Sequence, residues 1–215
     1  MPPDKQTNTC DLSTIARYYG RKLEAHGTNA QGVDWNGEES QRLRFKQLSK
    51  RLPDSGEFSV NDLGCGYGAL ADYLSTHFGP FTYHGYDIAP EMIRAARQRF
   101  ISMPGIRFEE SAIPTVQSDF GIASGIFNVI LSNDPLAWQE HITTTLDRLA
   151  ETSRQGFAFN CLTSYSDPEK MRDHLYYADP CWLFDLCKRR YSGQVALLHD
   201  YGLYEFTVLV TKTAP

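Results

Sequence analysis

The stretch FSVNDLGCGYG, residues 58–68, constrains this chain more than any other part of its sequence. Its first half reads as a strand, and Leu70, Leu74 and Phe78 space a helix directly after it. Between them Gly64, Gly66 and Gly68 can take positive φ, so the backbone can turn tightly and come close to a ligand. Strand, glycine loop and helix in that order place the loop at the carboxyl end of an open sheet, where such folds bind their ligands. With Ala69 the string also fits GxGxxA, the fingerprint of nicotinamide dinucleotide binding. Asp87 would supply the acidic residue which that fingerprint wants about 20 positions later. The loop by itself leaves that reading open.

The rest of the chain supplies the sheet. Ser13 reads as the N-cap of a helix through Ile15, Tyr18, Tyr19 and Leu23 that stops at His26-Gly27. Gly27 to Gly37 reads as loop. Asn36 with Glu39 outlines a capping box for a second helix, with Phe45, Leu48 and Leu52 as its apolar stripe and Pro53 as its stop. From Glu57 onward strands and helices alternate. FSVND, FTYHGYD, IRFEE, DFGIAS and GFAFNCLT are strands one to five; Ile93, Ala96 and Phe100 space a helix after Pro90, and Trp138, Ile142, Leu146 and Leu149 another. Such alternation makes a parallel sheet.

SDPEKMRDHLYYADPCWLFDLCKRR reads as a helix broken before Pro180, suited either to one wall of an acceptor pocket or to an amphipathic cover on the sheet. QVALLH and LYEFTVLVT are then separated only by residues around Asp200, Tyr201 and Gly202, a hairpin connection, so the last strand runs antiparallel. In LYEFTVLV, Tyr204, Phe206, Val208 and Val210 alternate against Glu205 and Thr207, as in a strand beside the sheet edge. The expected fold is α/β: a Rossmann-like, three-layer, seven-stranded sheet with its last strand antiparallel. A helical cap or lid over residues 1–56 precedes a ligand-binding core over 57–215.

A chain of 215 residues suffices for one buried core and leaves no room for a second catalytic domain. No apolar run approaches the ~20 residues that span a bilayer and no secretion signal opens the chain, which predicts a cytoplasmic protein without a membrane partner. A net charge of -5 and a pI near 5.7 argue against a nucleic-acid partner. The five cysteines form no CxxC or other zinc-type pair, so no metal site is expected.

Asp62 discriminates between ligands of the glycine loop. Its carboxylate at the strand end suits a sulfonium or ammonium cation and repels a pyrophosphate. Two helices ahead of the first strand and a closing antiparallel hairpin are likewise foreign to the dinucleotide fold. With DLGCGYG matching the pattern acidic-x-Gly-x-Gly-x-Gly, the chain over roughly residues 58–212 resembles the class I S-adenosylmethionine-dependent methyltransferases. GIFNV, FNCLTSYSD and HDYGLYEFTV are similar to a group of little-characterised bacterial members taken to act on small molecules. The resemblance implies a transferase of class EC 2.1.1.-, with S-adenosyl-L-methionine as donor, S-adenosyl-L-homocysteine as product and a small polar molecule as acceptor. A nicotinamide-binding, dehydrogenase-like protein and a protein that holds the donor without transfer are the alternatives.

The resemblance also assigns residues. Asp62, Gly64, Cys65, Gly66 and Gly68 would hold the donor, and Asp87 would accept hydrogen bonds from both ribose hydroxyls, as a carboxylate can. Capping the next helix is the other role open to Asp87. Ile88 and Met92 would flank the adenine or serve as plain core, and Glu110, Ser111 and Ala112 would meet its edge. Ser124 and Gly125 end strand four, where methionine and acceptor come together. A rival register makes FNVILSNDPL the fourth strand. Asn133-Asp134-Pro135-Leu136 would then imitate the Asn-Pro-Pro-aromatic motif of amino-methylating nucleic-acid enzymes, without its second proline or its aromatic. On the cap, Trp35, Gln41 and Arg44 are the candidate lid contacts. Gln41 and Arg44 lie one turn before Phe45 and Leu48 and so point inward. Arg44 would pair either with the methionine carboxylate or with a carboxylate of its own core.

Methyl transfer from a sulfonium is an in-line displacement, in which alignment and exclusion of water supply most of the acceleration and a base is optional. His199, Tyr201 and Asn128 are the candidate catalytic residues, with Tyr165, His174, Tyr176 and Tyr177 around the acceptor mouth. His199 ends strand six beside Asp200, a natural orienting partner; a turn histidine is the plainer reading.

Overall fold

The computed structural model describes residues 10–212. Its strands are β1 (Phe58–Leu63), β2 (Phe81–Asp87), β3 (Ile106–Glu110), β4 (Ser118–Ala123), β5 (Ser153–Leu162), β6 (Gln194–Leu198) and β7 (Glu205–Thr211). They form one seven-stranded sheet in the order β3-β2-β1-β4-β5-β7-β6. β1 pairs in parallel with β2 and β4, while β7 lies antiparallel between β5 and β6. The strand order therefore reverses between β1 and β4, which opens a crevice at their carboxyl ends. This is the fold expected from the sequence, with strand four at DFGIA and not in the rival register.

Helices α2 (Glu38–Leu48), α3 (Ala69–His77) and α4 (Pro90–Arg99) cover one face, where Phe45, Leu48, Leu70, Leu74, Ile93 and Phe100 join a single apolar cluster. Helices α5 (Pro135–Glu151) and α6 (Pro180–Arg190) cover the other, with Trp138, Ile142, Leu146, Leu149 and Leu183 packed on Phe157, Phe159 and Val208. Helix α1 (Leu12–His26) crosses between them over the carboxyl edge: Ile15 packs into the α5 cluster while Ala16, Tyr19 and Leu23 pack around Tyr67 and Met92. The starts of α4, α5 and α6 are written locally. Each opens on a proline, whose fixed φ suits the first turn, and Asp134 and Asp179 cap the last two by accepting from backbone N–H groups.

Four local readings need correction. Asp11, not Ser13, caps α1; its carboxylate accepts from the Ser13 amide at 3.0 Å. No capping box forms at Asn36 and Glu39, because α2 starts at Glu38 behind Gly37 with no side-chain cap, and it ends at Leu48, ahead of Pro53. Ahead of Pro180 there is only a 3-10 turn, Pro168–Lys170, and extended chain. On β7 the polar residues Glu205 and Thr207 are as buried as their apolar neighbours, because α2 packs against the strand on one face and α6 on the other.

The burial of Glu205 has a partner. Arg44 on α2 donates from Nε to Glu205 Oε2 at 2.8 Å, and the amide of Asn160 on β5 donates to Glu205 Oε1 at 3.1 Å. Asn160 Oδ1 in turn accepts the Gly125 N–H at 2.8 Å, and the Arg44 guanidinium lies 3.9 Å from the centre of the Trp35 ring. Of the two partners open to Arg44, the core carboxylate is the one it takes. Burial pushes the Glu205 carboxyl upward, against the pull of Arg44 and Asn160. Truncating one member of such a pair leaves an uncompensated charge, so Arg44→Ala is expected to cost about 3–5 kcal/mol in urea denaturation. The double variant Arg44→Met/Glu205→Gln should recover most of that loss; equal losses in both would show that the charge is not what is being held.

Candidate functional site

A cleft opens where the strand order reverses, at the carboxyl ends of β1 and β4. One side is the end of β1 and the glycine loop, with Asp62, Gly64, Cys65, Gly66 and Tyr67. Asp87, Ile88 and Met92 extend it past β2, and Ser111 and Ala112 past β3. Ser124, Gly125 and Ile126 follow β4. The chain ahead of β1 contributes Val33, Trp35 and Gln41, together with Leu12, Ile15 and Tyr19 of α1. The remaining wall is α5, through Trp138, His141 and Thr145.

The glycines are needed for different reasons. Gly64 has φ 76° and a Cβ there would sit 2.1 Å from the Ile126 side chain, so loop and β4 end can only meet without one. At Gly66, with φ 54°, a Cβ would stand 3.0 Å from Val33 of the cap. Gly68 is not on the cleft. It has φ 85° at the start of α3, where a Cβ would overlap the rings of Phe100 and Phe108. The loop is braced from below, as Gly64 and Cys65 donate to the Tyr86 carbonyl at 2.7 and 2.9 Å. Gly66 donates to Asp87 Oδ2 at 2.9 Å, while Asp87 Oδ1 accepts from Ala89 at 2.8 Å. Asp87 thus ties β2, the loop and the turn into α4, and each of its oxygens keeps acceptor capacity for a further donor.

Asp62 is almost wholly buried, and its Oδ2 accepts the Tyr83 hydroxyl while Oδ1 has no partner. Burial pushes its carboxyl up to about 7, against the Tyr83 hydrogen bond. Burial also raises Asp87 to about 6, against the amides that point at it. Among the described residues, no lysine or arginine lines the cleft. Two carboxyls beside a single imidazole suit a cation, and a buried acceptor atom without a donor is an available contact for an ammonium. A pyrophosphate would face both acids with nothing to offset them.

Trp35, Gln41, Asp62, Gly64, Cys65, Gly66, Asp87, Ile88, Met92, Ser111, Ala112 and Ser124 therefore come together on one cleft, from the sequence-predicted set. Glu110 is exposed at the end of β3, outside it, and Arg44 stands behind Trp35, engaged by Glu205. The expected catalytic candidates lie elsewhere. Asn128 is buried, accepting the Leu162 N–H at 3.0 Å through its side chain and the Tyr176 N–H at 2.8 Å through its carbonyl, which fastens the chain after β4 to β5. His199 is exposed beside Tyr165 and Phe206 and makes no hydrogen bond with Asp200 among the described residues. The Tyr201 hydroxyl lies 3.0 Å from Thr207 Oγ1, and Tyr165, His174, Tyr176 and Tyr177 are also off the cleft.

Sequence reasoning passed over Tyr19, His141 and Thr145. On α5 the apolar stripe through Trp138, Ile142, Leu146 and Leu149 was legible. His141 and Thr145 stand three and seven residues after Trp138, on the same face, where polar residues are the only available signal.

Comparison with known proteins places the chain. Residues 60–156 match a family model described as a methyltransferase domain. A Mycobacterium tuberculosis protein that bears the name methyltransferase, with no acceptor stated, is 60% identical over 157 residues, 73% of this chain and 95% of that protein. The trans-aconitate 2-methyltransferase of Methylobacterium nodulans is 28% identical over 58% of this chain and 47% of that enzyme, so the chain spans about half its length. The solved complex of DhpI with SAH superposes with a TM-score of 0.64 at 13% identity, over 95% of this chain and 97% of that one, a likeness of fold.

The contact between the glycine loop and the β4 end can be tested without ligand. Gly64→Ala is expected to lower the unfolding free energy by about 1–3 kcal/mol through positive φ and overlap. In a double-mutant cycle Ile126→Ala should return part of that loss, and strict additivity of the two would show that they do not collide.

Proposed function

Because the chain belongs to the class I S-adenosylmethionine-dependent methyltransferases, we propose that it methylates a small, uncharged acceptor with an apolar body and a protic nucleophile. With the family known, the nicotinamide reading of the glycine loop falls away. The absence of any lysine or arginine from the cleft wall among the described residues carries the acceptor class. A polycarboxylate such as trans-aconitate, for which one relative is named, would meet Asp62 and Asp87 with no cation to offset them.

Sheet order supports a division of the cleft. Ser111 and Ala112 at β3, Asp87, Ile88 and Met92 at β2, and Asp62, Gly64 and Gly66 at β1 would take adenine, ribose and methionine in turn. That leaves the side beyond β4 to the acceptor. Leu12, Ile15, Ile126 and Trp138 make its wall apolar, so only the reacting group of the acceptor needs to be polar. When bound, S-adenosylmethionine supplies an activated methyl group on a cationic sulfur. Asp62 would offset the donor's positive charge, Asp87 would hold the ribose, and Trp35 and Gln41 would cover the site against water.

Calorimetric titration with S-adenosylhomocysteine and NAD between pH 5.5 and 8.5 tests the donor site. S-adenosylhomocysteine should bind and NAD should not. Its ammonium favours ionised Asp62, whose free carboxyl is raised to about 7, so affinity should be full above that pH and fall as pH drops through it. Asp62→Asn should flatten that limb, and Asp87→Ala should weaken binding by about 10-fold or more. Tight NAD binding, or affinity indifferent to pH and to both variants, overturns the assignment. For the acceptor, a panel of neutral phenols and alcohols set against tricarboxylates, read by S-adenosylhomocysteine formation, should give transfer to the neutral set. Transfer confined to the carboxylates would overturn the acceptor class, and donor binding without any transfer would favour a protein that only holds the donor.

A further inference from the structure

We infer that His141 is the general base of this transfer, taking the proton from a phenol-class hydroxyl whose ring lies against Trp138 and Tyr19. The inference rests on the donor site and acceptor side proposed above. Of the groups on the cleft wall that could accept a proton near neutral pH, Asp62 is bonded by Tyr83 and Asp87 by two backbone amides, both at the donor end. His141 is on α5, which follows β4, while Asp62 and Asp87 end β1 and β2 on the other side of the strand-order reversal.

Its ring is held by packing and by nothing polar. The Trp138 indole N–H donates to the Phe127 carbonyl at 3.0 Å, which fixes that ring, and the His141 imidazole lies 5.0 Å from it, tilted by 41°. Phe127 meets the imidazole edge-on at 6.4 Å. Neither ring nitrogen of His141 makes a hydrogen bond among the described residues, and burial is the one influence that moves its pKa, downward. A core histidine ordinarily spends a nitrogen on a carbonyl or carboxylate. This one faces a cavity instead, half-buried, in its neutral and basic form.

The other titratable groups on the cleft do not compete for the role. Tyr19 on α1, with Tyr67 and Cys65 of the loop, are all pushed upward by burial and stay protonated. Glu140, beside His141 on α5, is exposed and off the cleft, and Thr145 one turn further lies buried at the deep end of the wall. Trp138 and Tyr19 border the cleft, and an aromatic lining suits a flat apolar acceptor. In the step, the acceptor oxygen forms its bond to the methyl carbon as the C–S bond breaks. The C–S electron pair goes to sulfur and cancels its charge, and the hydroxyl proton passes to a free nitrogen of His141, then to solvent.

Wild type and His141→Gln are compared on phenols of graded acidity, with S-adenosylhomocysteine affinity measured on both. The variant is expected to lose about 100-fold or more in kcat with little change in phenol KM or donor affinity. The deficit should shrink as the phenols become more acidic, since an ionised acceptor needs no base. Independently of turnover, adding phenol to the S-adenosylhomocysteine complex of wild type should shift the His141 ring signal in NMR. Unchanged kcat in the variant across the series overturns the role of His141 and leaves the donor and acceptor readings standing. A wild type that binds S-adenosylhomocysteine yet transfers to no phenol overturns this inference, and transfer to neutral alcohols in its place leaves the acceptor class standing. Should the variant not fold, the wild-type spectrum decides: a His141 signal indifferent to phenol overturns the inference.

Discussion

Arg44 and Glu205 meet inside the protein across 161 residues of chain, and their bond ties α2 to the last strand of the sheet. Taking both charges out of water costs several kcal/mol each, a cost met only in one geometry, which is why such pairs fix arrangement more than they add stability. The partners of this pair carry the geometry outward. Asn160 holds Glu205 on one side and the Gly125 amide on the other, and Trp35 lies on the guanidinium. A Cβ on Gly125 would reach within 2.5 Å of that same tryptophan ring. The wall of the cleft is therefore seated on the last strand of the sheet. Reversing β7 between β5 and β6 is what brings an acid beneath the cap.

A second constraint works at the donor end. Asp62 is buried with one oxygen unpartnered, in a cleft where no cationic side chain stands among the described residues, and burial raises its carboxyl to about 7. Such a group is unfavourable in the free protein and becomes favourable when a positive charge arrives. Asp87 is poised by the same burial but braced by amides of the loop and of the turn into α4, so its orientation is set before any ligand binds. Electrostatic preference and preorganisation are thus divided between two acids at neighbouring strand ends.

That division explains which parts were legible in the sequence. Asp62, Gly64, Cys65 and Gly66 lie within one turn of chain, and Asp87 and Met92 flank a proline-started helix, so local pattern was enough to gather them. Gly68 and Glu110 sit in the same motifs but on other sides, since a motif marks positions along the chain and not the direction in which each side chain points. Caps were misread for a similar reason. Asp11 and Ser13 are both competent, and only the geometry of the entering chain selects Asp11. Strand β7 looked half-polar because Glu205 has a partner distant in sequence. His199 looked catalytic because Asp200 follows it, yet neighbours in a turn point apart, and the two make no bond among the described residues.

The acceptor side was illegible because it is tertiary in origin. Tyr19 and His141 lie on helices far apart in the chain that both border the cleft, and each belongs to a helix whose visible pattern serves the core. This separates two kinds of constraint. Backbone conformation and buried acids at the strand ends fix the donor end, where few exchanges leave the turn intact. Helix faces fix the acceptor end, where a residue can change while Ile142, Leu146 and Leu149 keep α5 packed. A fold built this way can hold one donor and vary what it methylates. In this chain that face carries an imidazole packed between aromatic rings and without a hydrogen-bond partner among the described residues, which is why the chemistry proposed for the acceptor end rests on α5 and not on the glycine loop.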